Sequence, residues 1–129
     1  MRIAHIAIWT NDLERLKAFY STHFHCSPSA RYENLQKKFA SYFLHFKDGA
    51  SLELMQRQDI TEAPVKEMTG LAHFALEVGS NEQVDQLTAE LEKAGVPIYS
   101  YPRTTGDGYY ESVILDPDNN KIELVAAVH

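Results

Sequence analysis

The sequence of 129 residues predicts an α+β protein in which two similar halves follow one another along the chain. The apolar stretch Ile3–Trp9, with His5 inside it, returns as Leu71–Val78 with His73 in the corresponding place. Each stretch is followed by one amphipathic segment, and each half closes with a strand that contains LEL or IEL. Such an internal repeat indicates two copies of one strand–helix–strands unit, and it fixes which residues correspond.

The elements of the first half follow from periodicity and turn chemistry. Arg2–Trp9 is short and rich in isoleucine, which is typical of a strand, and it ends at Thr10 and Asn11, either of which can cap a helix. That helix is expected over about residues 12–24, with Leu13, Leu16, Phe19 and Tyr20 on one face. Two strands joined by a turn at Asp48 and Gly49 complete the half, over residues 39–46 and 50–56. The polar segment 29–38 has room for one more strand.

The second half is interpreted in the same way. Leu71–Val78 is a strand, and Ser80 with Gln83 forms a capping box for a helix over about residues 81–94. Val84, Leu87 and Leu91 face inward from this helix, and Gly95 ends it. Two further strands are expected over residues 109–116 and 121–127, with a turn at residues 117–120.

Composition limits the kinds of partner. The hydrophobic share of 44% is ordinary for a globular core, and the net charge of −6 argues against nucleic acid and against anionic membranes. The chain has neither an N-terminal leader pattern nor the run of about 18 apolar residues that a membrane span needs. Cys26 is the single cysteine, which excludes an intrachain disulfide and favours a reducing compartment. We therefore expect a cytoplasmic protein with a small-molecule partner.

The repeat also matches two histidines with two glutamates. Glu53 follows His5 at nearly the same spacing as Glu123 follows His73. Because strand side chains alternate, all four fall on the face opposite the more uniformly apolar one that a helix can cover. A lone strand histidine or glutamate usually serves packing or faces solvent. Two matched pairs instead predict a divalent metal site, for Zn, Ni, Co or Mn.

Other polar and aromatic residues carry weaker signals. Substrate contacts are considered for Trp9, Arg57 and Tyr110, although cleft wall, packing and solvent exposure explain them equally well. His45 could line the same cavity, with core packing as the alternative. Surface positions are expected for His23–Cys26, a tight or mobile turn for Gly106–Gly108 and a frayed end for His129.

Three motifs carry a resemblance to a known family. Asp12–Tyr20, Gly49–Met55 and Asp116–Val125, in their repeated setting, resemble the vicinal oxygen chelate superfamily, which includes glyoxalase I, bleomycin resistance proteins and extradiol dioxygenases. The likeness covers essentially the whole chain. It implies a single domain of two tandem βαβββ modules, each an incomplete barrel around a cleft. The modules would span about residues 1–57 and 70–129, with a linker over about 58–69.

Within that superfamily, the residues are similar to glyoxalase I at all four ligand positions. The resemblance implies a metal-dependent lyase or isomerase that moves a proton next to a carbonyl, with Glu123 as the first choice of base and Glu53 as its symmetric partner. It also implies a homodimer whose sites combine His5 and Glu53 of one chain with His73 and Glu123 of the other. Trp9 differs from the glutathione-holding arginine of bacterial glyoxalase I, and segment 55–59 also departs, so the substrate stays open.

Two alternatives within the same fold are retained. The first is a non-catalytic small-molecule-binding or antibiotic-resistance protein. The second is an extradiol-type Fe(II) dioxygenase, a class that needs an open metal position which a fourth ligand such as Glu53 fills.

Overall fold

The computed structural model describes residues 1–128, so the expectation for His129 lies outside the described residues. Within that range the chain forms nine strands and two helices. In chain order these are β1 (His5–Trp9), α1 (Leu13–His23), β2 (Ser27–Pro28), β3 (Tyr32–Asn34), β4 (Phe39–His45), β5 (Ser51–Arg57), β6 (His73–Gly79), α2 (Asn81–Lys93), β7 (Ile98–Thr104), β8 (Tyr110–Leu115) and β9 (Lys121–Ala126).

The chain divides into two compact units, one over Met1–Ala63 and one from Pro64 onward. The first unit has a sheet in the order β1-β5-β4-β2, with β3 also paired to β4, and the second has the order β6-β9-β8-β7. In each unit the first strand lies parallel to the last, while the other pairs are antiparallel. The α+β class with two tandem βαβββ-like modules is confirmed.

Helix α1 covers one face of the first sheet. Leu13, Leu16 and Tyr20 are buried on it and pack toward β4 and β5. The helix begins at Leu13, one residue later than expected, because Asp12 is the N-cap and its carboxylate accepts from the Arg15 backbone N–H at 3.1 Å. Thr10 instead accepts from the Asp12 N–H at 3.1 Å, so it supports the capping residue, and the predicted Thr10 or Asn11 cap is wrong.

Helix α2 covers one face of the second sheet with buried Val84 and Leu91. The capping box between Ser80 and Gln83 is present in both directions, as the sequence predicts. The helix ends at a cap just before Gly95, whose φ of 89° lies in the left-handed region that glycine adopts at low cost. In each unit the apolar face of the sheet packs against its helix and, within residues 1–128, the opposite face of the sheet carries no helix.

Two strands, β2 and β7, have no counterpart in the residue-level expectations, and β3 lies within segment 29–38, where the sequence left room for one more strand. β2 and β3 are very short, and both pair with β4. β7 contains Pro102 and lies at the edge of its sheet, where a residue without an N–H is tolerated. Its pairing with β8 is interrupted by irregularities, which a periodic pattern does not reveal.

No helix in the described part of the chain is long and apolar enough to cross a bilayer.

Candidate metal centre

The open face of the first sheet carries the first histidine–glutamate pair. β1 and β5 run side by side with Ala7 opposite Glu53. His5 lies two residues before Ala7, so its side chain is on the same face of the sheet as that of Glu53. The His5 Nε2 atom is 3.7 Å from Glu53 Oε1, and the side chains are 48% and 18% exposed. An imidazole nitrogen and a carboxylate oxygen are therefore close together and accessible from the open side.

The second sheet repeats this arrangement. Ala75 lies opposite Glu123 in the parallel pair β6–β9, and His73 Nε2 is 3.0 Å from Glu123 Oε2. The exposed fractions, 42% and 22%, are close to those of the first pair. The repeat seen in the sequence thus extends to the register of single residues.

Each half by itself supplies two candidate metal ligands. Among residues 1–128, no group of three or more histidine, cysteine, aspartate or glutamate side chains is placed to hold a metal ion. Two nitrogens and two carboxylates form a donor set that suits Zn, Ni, Co or Mn.

Aromatic side chains surround the first pair. The Phe43 ring packs edge-on against His5 at 5.5 Å and lies parallel to the His45 ring at 6.1 Å. His45 Nδ1 is 2.9 Å from the hydroxyl of Ser51, the residue opposite His5. His45 is therefore held on the open face by Phe43 and Ser51.

A carboxyl group that the sequence analysis missed lies beside the second pair. Glu111 on β8 is 7% exposed and shares the open face with Glu123, because Val113 lies opposite Glu123. Burial, and then the neighbouring Glu123 carboxylate, raises the pKa of Glu111. The corresponding residue of the first half is Ser41, which lies opposite Met55. The available signal was a glutamate within a predicted strand, and it gains meaning because Glu111 lies two residues from Val113, the cross-strand partner of Glu123.

Lys121 on β9 lies directly opposite His73 on β6, so a cationic side chain is next to the second histidine. Its ammonium pairs with Glu67 and lies 4.3 Å from the centre of the Tyr99 ring. The Glu67 carboxylate raises the pKa of Lys121. An ion pair between Lys121 and Glu67 thus borders the second histidine–glutamate pair.

The three candidate substrate contacts separate into two groups. Trp9 and Arg57 come together on the open face of the first sheet, with the guanidinium carbon 5.0 Å from the indole centre. Tyr110 lies on the strand position that alternates with Glu111, and its hydroxyl donates to Asp85 of α2 at 2.5 Å. The structure thus places Tyr110 with the helix and not with His73 and Glu123.

The histidines and cysteine at the end of α1 lie apart from the open face. His23 packs edge-on against Phe19 at 5.1 Å, and the Cys26 thiol donates to the Tyr20 carbonyl at 3.3 Å. Burial raises the pKa of the Cys26 thiol. His23 and Cys26 are half-buried and packed, so the expected surface position is wrong for them, whereas His25 is exposed as expected.

Comparison with known proteins identifies a family for this architecture. A model of the glyoxalase/bleomycin resistance protein/dioxygenase superfamily matches residues 2–124. The chain belongs to this superfamily. The superfamily contains glyoxalase I enzymes, and this assignment agrees with the predicted vicinal oxygen chelate relationship.

Individual proteins that resemble this chain share between 22% and 32% sequence identity with it. The uncharacterized protein YqjT of Bacillus subtilis (strain 168) is 32% identical over 127 residues, which cover 95% of this chain and 96% of YqjT. The trypanothione-dependent glyoxalase I of Leishmania major is 26% identical with a TM-score of 0.77, covering 98% of this chain and 86% of that chain. Glyoxalase I from Zea mays is 22% identical with a TM-score of 0.81, and the alignment covers 99% of this chain but 45% of the maize chain. The maize likeness shows the fold alone.

Proposed function

We propose that the protein is a metal-dependent lyase or isomerase of the glyoxalase I type, which transfers a proton next to a carbonyl of a small oxygenated substrate. One observation carries the proposal. Each half presents a histidine and a glutamate at the same register on its open face, with Nε2–Oε contacts of 3.7 and 3.0 Å. Membership of a superfamily that includes glyoxalase I supports it.

The four residues would hold one divalent ion, which when bound polarises a carbonyl and stabilises negative charge on its oxygen. His5 and His73 act as neutral nitrogen ligands. Glu123 accepts the proton from the carbon next to the carbonyl, and Glu53 is the symmetric alternative. Both carboxylates are about one-fifth exposed, so each is accessible to a substrate on the open face.

The remaining features of the proposal concern setting and assembly. The lone Cys26 suits a reducing compartment, and we place the protein in the cytoplasm. The protein acts as a homodimer, with the first pair of one chain and the second pair of its partner completing each site. Trp9 and Arg57 contact the substrate beyond the ligand pair.

Metal content tests the proposal directly. Purified protein loaded with Ni or Zn should bind about one ion per set of four ligands, and His5→Ala and His73→Ala should each lose most of it, because each removes a nitrogen ligand. His25→Ala, which changes an exposed histidine after α1, is the matched control and should keep its metal. Full metal content in both ligand variants would refute the site.

The role of Glu123 is tested by a substitution that keeps its shape. Glu123→Gln should retain part of the metal, since an amide oxygen still coordinates weakly, while turnover of hemithioacetals falls by at least about 100-fold because the amide cannot accept the proton. Glu53→Gln measured in parallel identifies which carboxylate is the base. Unchanged turnover in Glu123→Gln would remove Glu123 from that role.

The two alternatives give different results in the same assays. A non-catalytic binding protein would show saturable ligand binding with no turnover, unaffected by Glu123→Gln. An extradiol-type dioxygenase would consume oxygen with a catechol when loaded with Fe(II). The fourth candidate ligand, Glu53, favours the lyase or isomerase over the dioxygenase, because oxygen chemistry needs an open position.

A further inference from the structure

Beyond the ligand pair, the open face of the first half breaks the repeat. Trp9 follows the strand histidine at the position that Glu77 occupies in the second half, and Arg57 corresponds to Ala127. The halves therefore match at the histidines and glutamates and differ just beyond them. A role that both halves share does not explain Trp9 and Arg57, so this region serves something specific to one half.

Four side chains form what we term the aromatic–arginine cluster: Trp9, Tyr32, Phe39 and Arg57. Trp9 meets Phe39 edge-on at 6.2 Å between ring centres, and Tyr32 meets Phe39 at 6.1 Å. Phe39 lies opposite Arg57 across β4 and β5. Trp9 is 39% exposed and Tyr32 54% exposed, so the cluster offers aromatic surface to a ligand while its rings fix one another.

Asp59 fixes the orientation of the arginine. Its two carboxylate oxygens accept from Arg57 Nε at 2.6 Å and from Nη2 at 3.3 Å. The guanidinium is planar, so this contact occupies one edge and directs the Nη1 donors away from Asp59. Arg57 is thereby held over the indole of Trp9, in an arrangement that suits a planar anionic group.

We propose that the aromatic–arginine cluster binds an aromatic ring that carries a carboxylate, with the ring against Trp9 and Phe39 and the carboxylate on Arg57. Glu53 and Arg57 lie four residues apart on β5, which is about 13 Å along a strand. This proposal rests on the proposed function. The aromatic acid is the far end of an extended substrate, and oxygens at the other end of that substrate reach the histidine–glutamate pair.

Trp9 supplies its own reporter, because it is the single tryptophan of the chain. The protein is titrated with three probes while tryptophan emission is recorded, with excitation at a wavelength longer than the absorption band of a phenyl ring. These are 3-phenylpropionate, 3-phenylpropanamide, which lacks the charge, and 3-cyclohexylpropionate, which lacks the aromatic ring. The aromatic acid should change the emission saturably and bind roughly three- to tenfold more tightly than either comparison compound, in line with typical aromatic and charge-assisted contacts.

Variants assign the two parts of the recognition. Arg57→Gln should reduce the affinity for the acid to that for the amide, and Phe39→Leu should weaken the preference for phenyl over cyclohexyl, because Trp9 remains as the second ring contact. Arg15→Gln is the control, since Arg15 forms a comparable exposed pair with Asp12 on α1. Circular dichroism and the thermal midpoint confirm that each variant is folded. Equal binding of all three probes, or no saturable change, overturns the inference.

The outcome is separable from that of the proposed function. Selective binding of the aromatic acid by a protein that neither holds metal nor turns over hemithioacetals would leave this inference standing and refute the lyase or isomerase. Metal-dependent turnover with no preference among the three probes would do the reverse.

Discussion

Glu14 illustrates how a single exposed carboxylate can tie a helix to a sheet. It lies in the first turn of α1 and accepts from the Tyr42 hydroxyl of β4 at 2.7 Å and from Arg31 Nη1 at 2.7 Å. The Tyr42 hydrogen bond, followed by the Arg31 contacts, lowers the pKa of Glu14 below its ordinary value of 4.5. Tyr42 itself is buried, so the hydroxyl is fixed in place.

This lowered pKa predicts a specific pH dependence of stability. A carboxylate whose pKa is lower in the folded state stabilises the fold above its unfolded pKa, and that stabilisation is lost as the pH falls through the folded value. The difference in the free energy of unfolding between wild type and Tyr42→Phe should therefore shrink between about pH 6 and about pH 3 in urea titrations. Tyr32→Phe, which changes an exposed hydroxyl of the same sheet, should show a constant difference. A pH-independent difference for Tyr42→Phe would contradict the assignment.

Single residues also show what sequence patterns predict well and what they miss. The matched positions of His5 and His73 are visible because a strand alternates its faces and the chain repeats. Glu111 was missed because its importance depends on the cross-strand register with β9, which a linear pattern does not contain. The cap at Asp12 was assigned to its neighbours because Thr, Asn and Asp have similar capping preferences.

At the level of elements, a buried pair of hydroxyls joins α2 to the second sheet. Thr88 Oγ1 donates to the Val84 carbonyl at 2.6 Å and lies 2.7 Å from Ser112 Oγ on β8. Because Thr88 has a single hydroxyl proton, Ser112 must be the donor to Thr88. Both side chains are almost fully buried, so the bond is shielded from water.

The direction of this hydrogen bond makes the two single variants unequal. Thr88→Val should destabilise the protein by about 1–3 kcal/mol, because it leaves the Ser112 hydroxyl buried without its acceptor. Ser112→Ala should cost less, roughly 0.5–1.5 kcal/mol, because Thr88 keeps the Val84 carbonyl. The double variant should cost less than the sum of the two single variants. Urea unfolding measures all three, and a larger loss for Ser112→Ala than for Thr88→Val would reverse the assigned donor.

Elements differ in how far the sequence predicts them. The two helices and the strands near the ligands have strong periodicity and clear caps, and they lie within a few residues of their predicted bounds. β7 was missed because Pro102 and its irregular pairing break the alternation that marks a strand. β2 and β3 exist through their pairing with β4, which is a tertiary property and not a local one.

At the level of the whole molecule, the proposed homodimer is tested by complementation. His5→Ala and His73→Ala, each inactive alone, are unfolded together in equal amounts and refolded. If each site takes one pair from each chain, a mixed dimer has one site with both defects and one intact site, so about a quarter of wild-type activity should return. Mixing the folded variants without unfolding is the control.

Sites closed within one chain would leave every site with a defect, and the refolded mixture would stay inactive. A monomer in solution, measured by sedimentation or light scattering, would contradict the homodimer without any assay. Metal content of the refolded mixture gives a second readout that does not depend on the choice of substrate.

The parallel pairing of the first and last strands in each half has a consequence for synthesis on the ribosome. His5 of β1 pairs with Ser51 of β5, and His73 of β6 pairs with Lys121 of β9. A nascent chain therefore exposes the opening strand of each half until nearly the whole half has left the exit tunnel. The first half has all its strands while the second is still being translated, so the two halves can fold one after the other. Each opening strand is then unpaired, and open to wrong association, only while its own half is being synthesised.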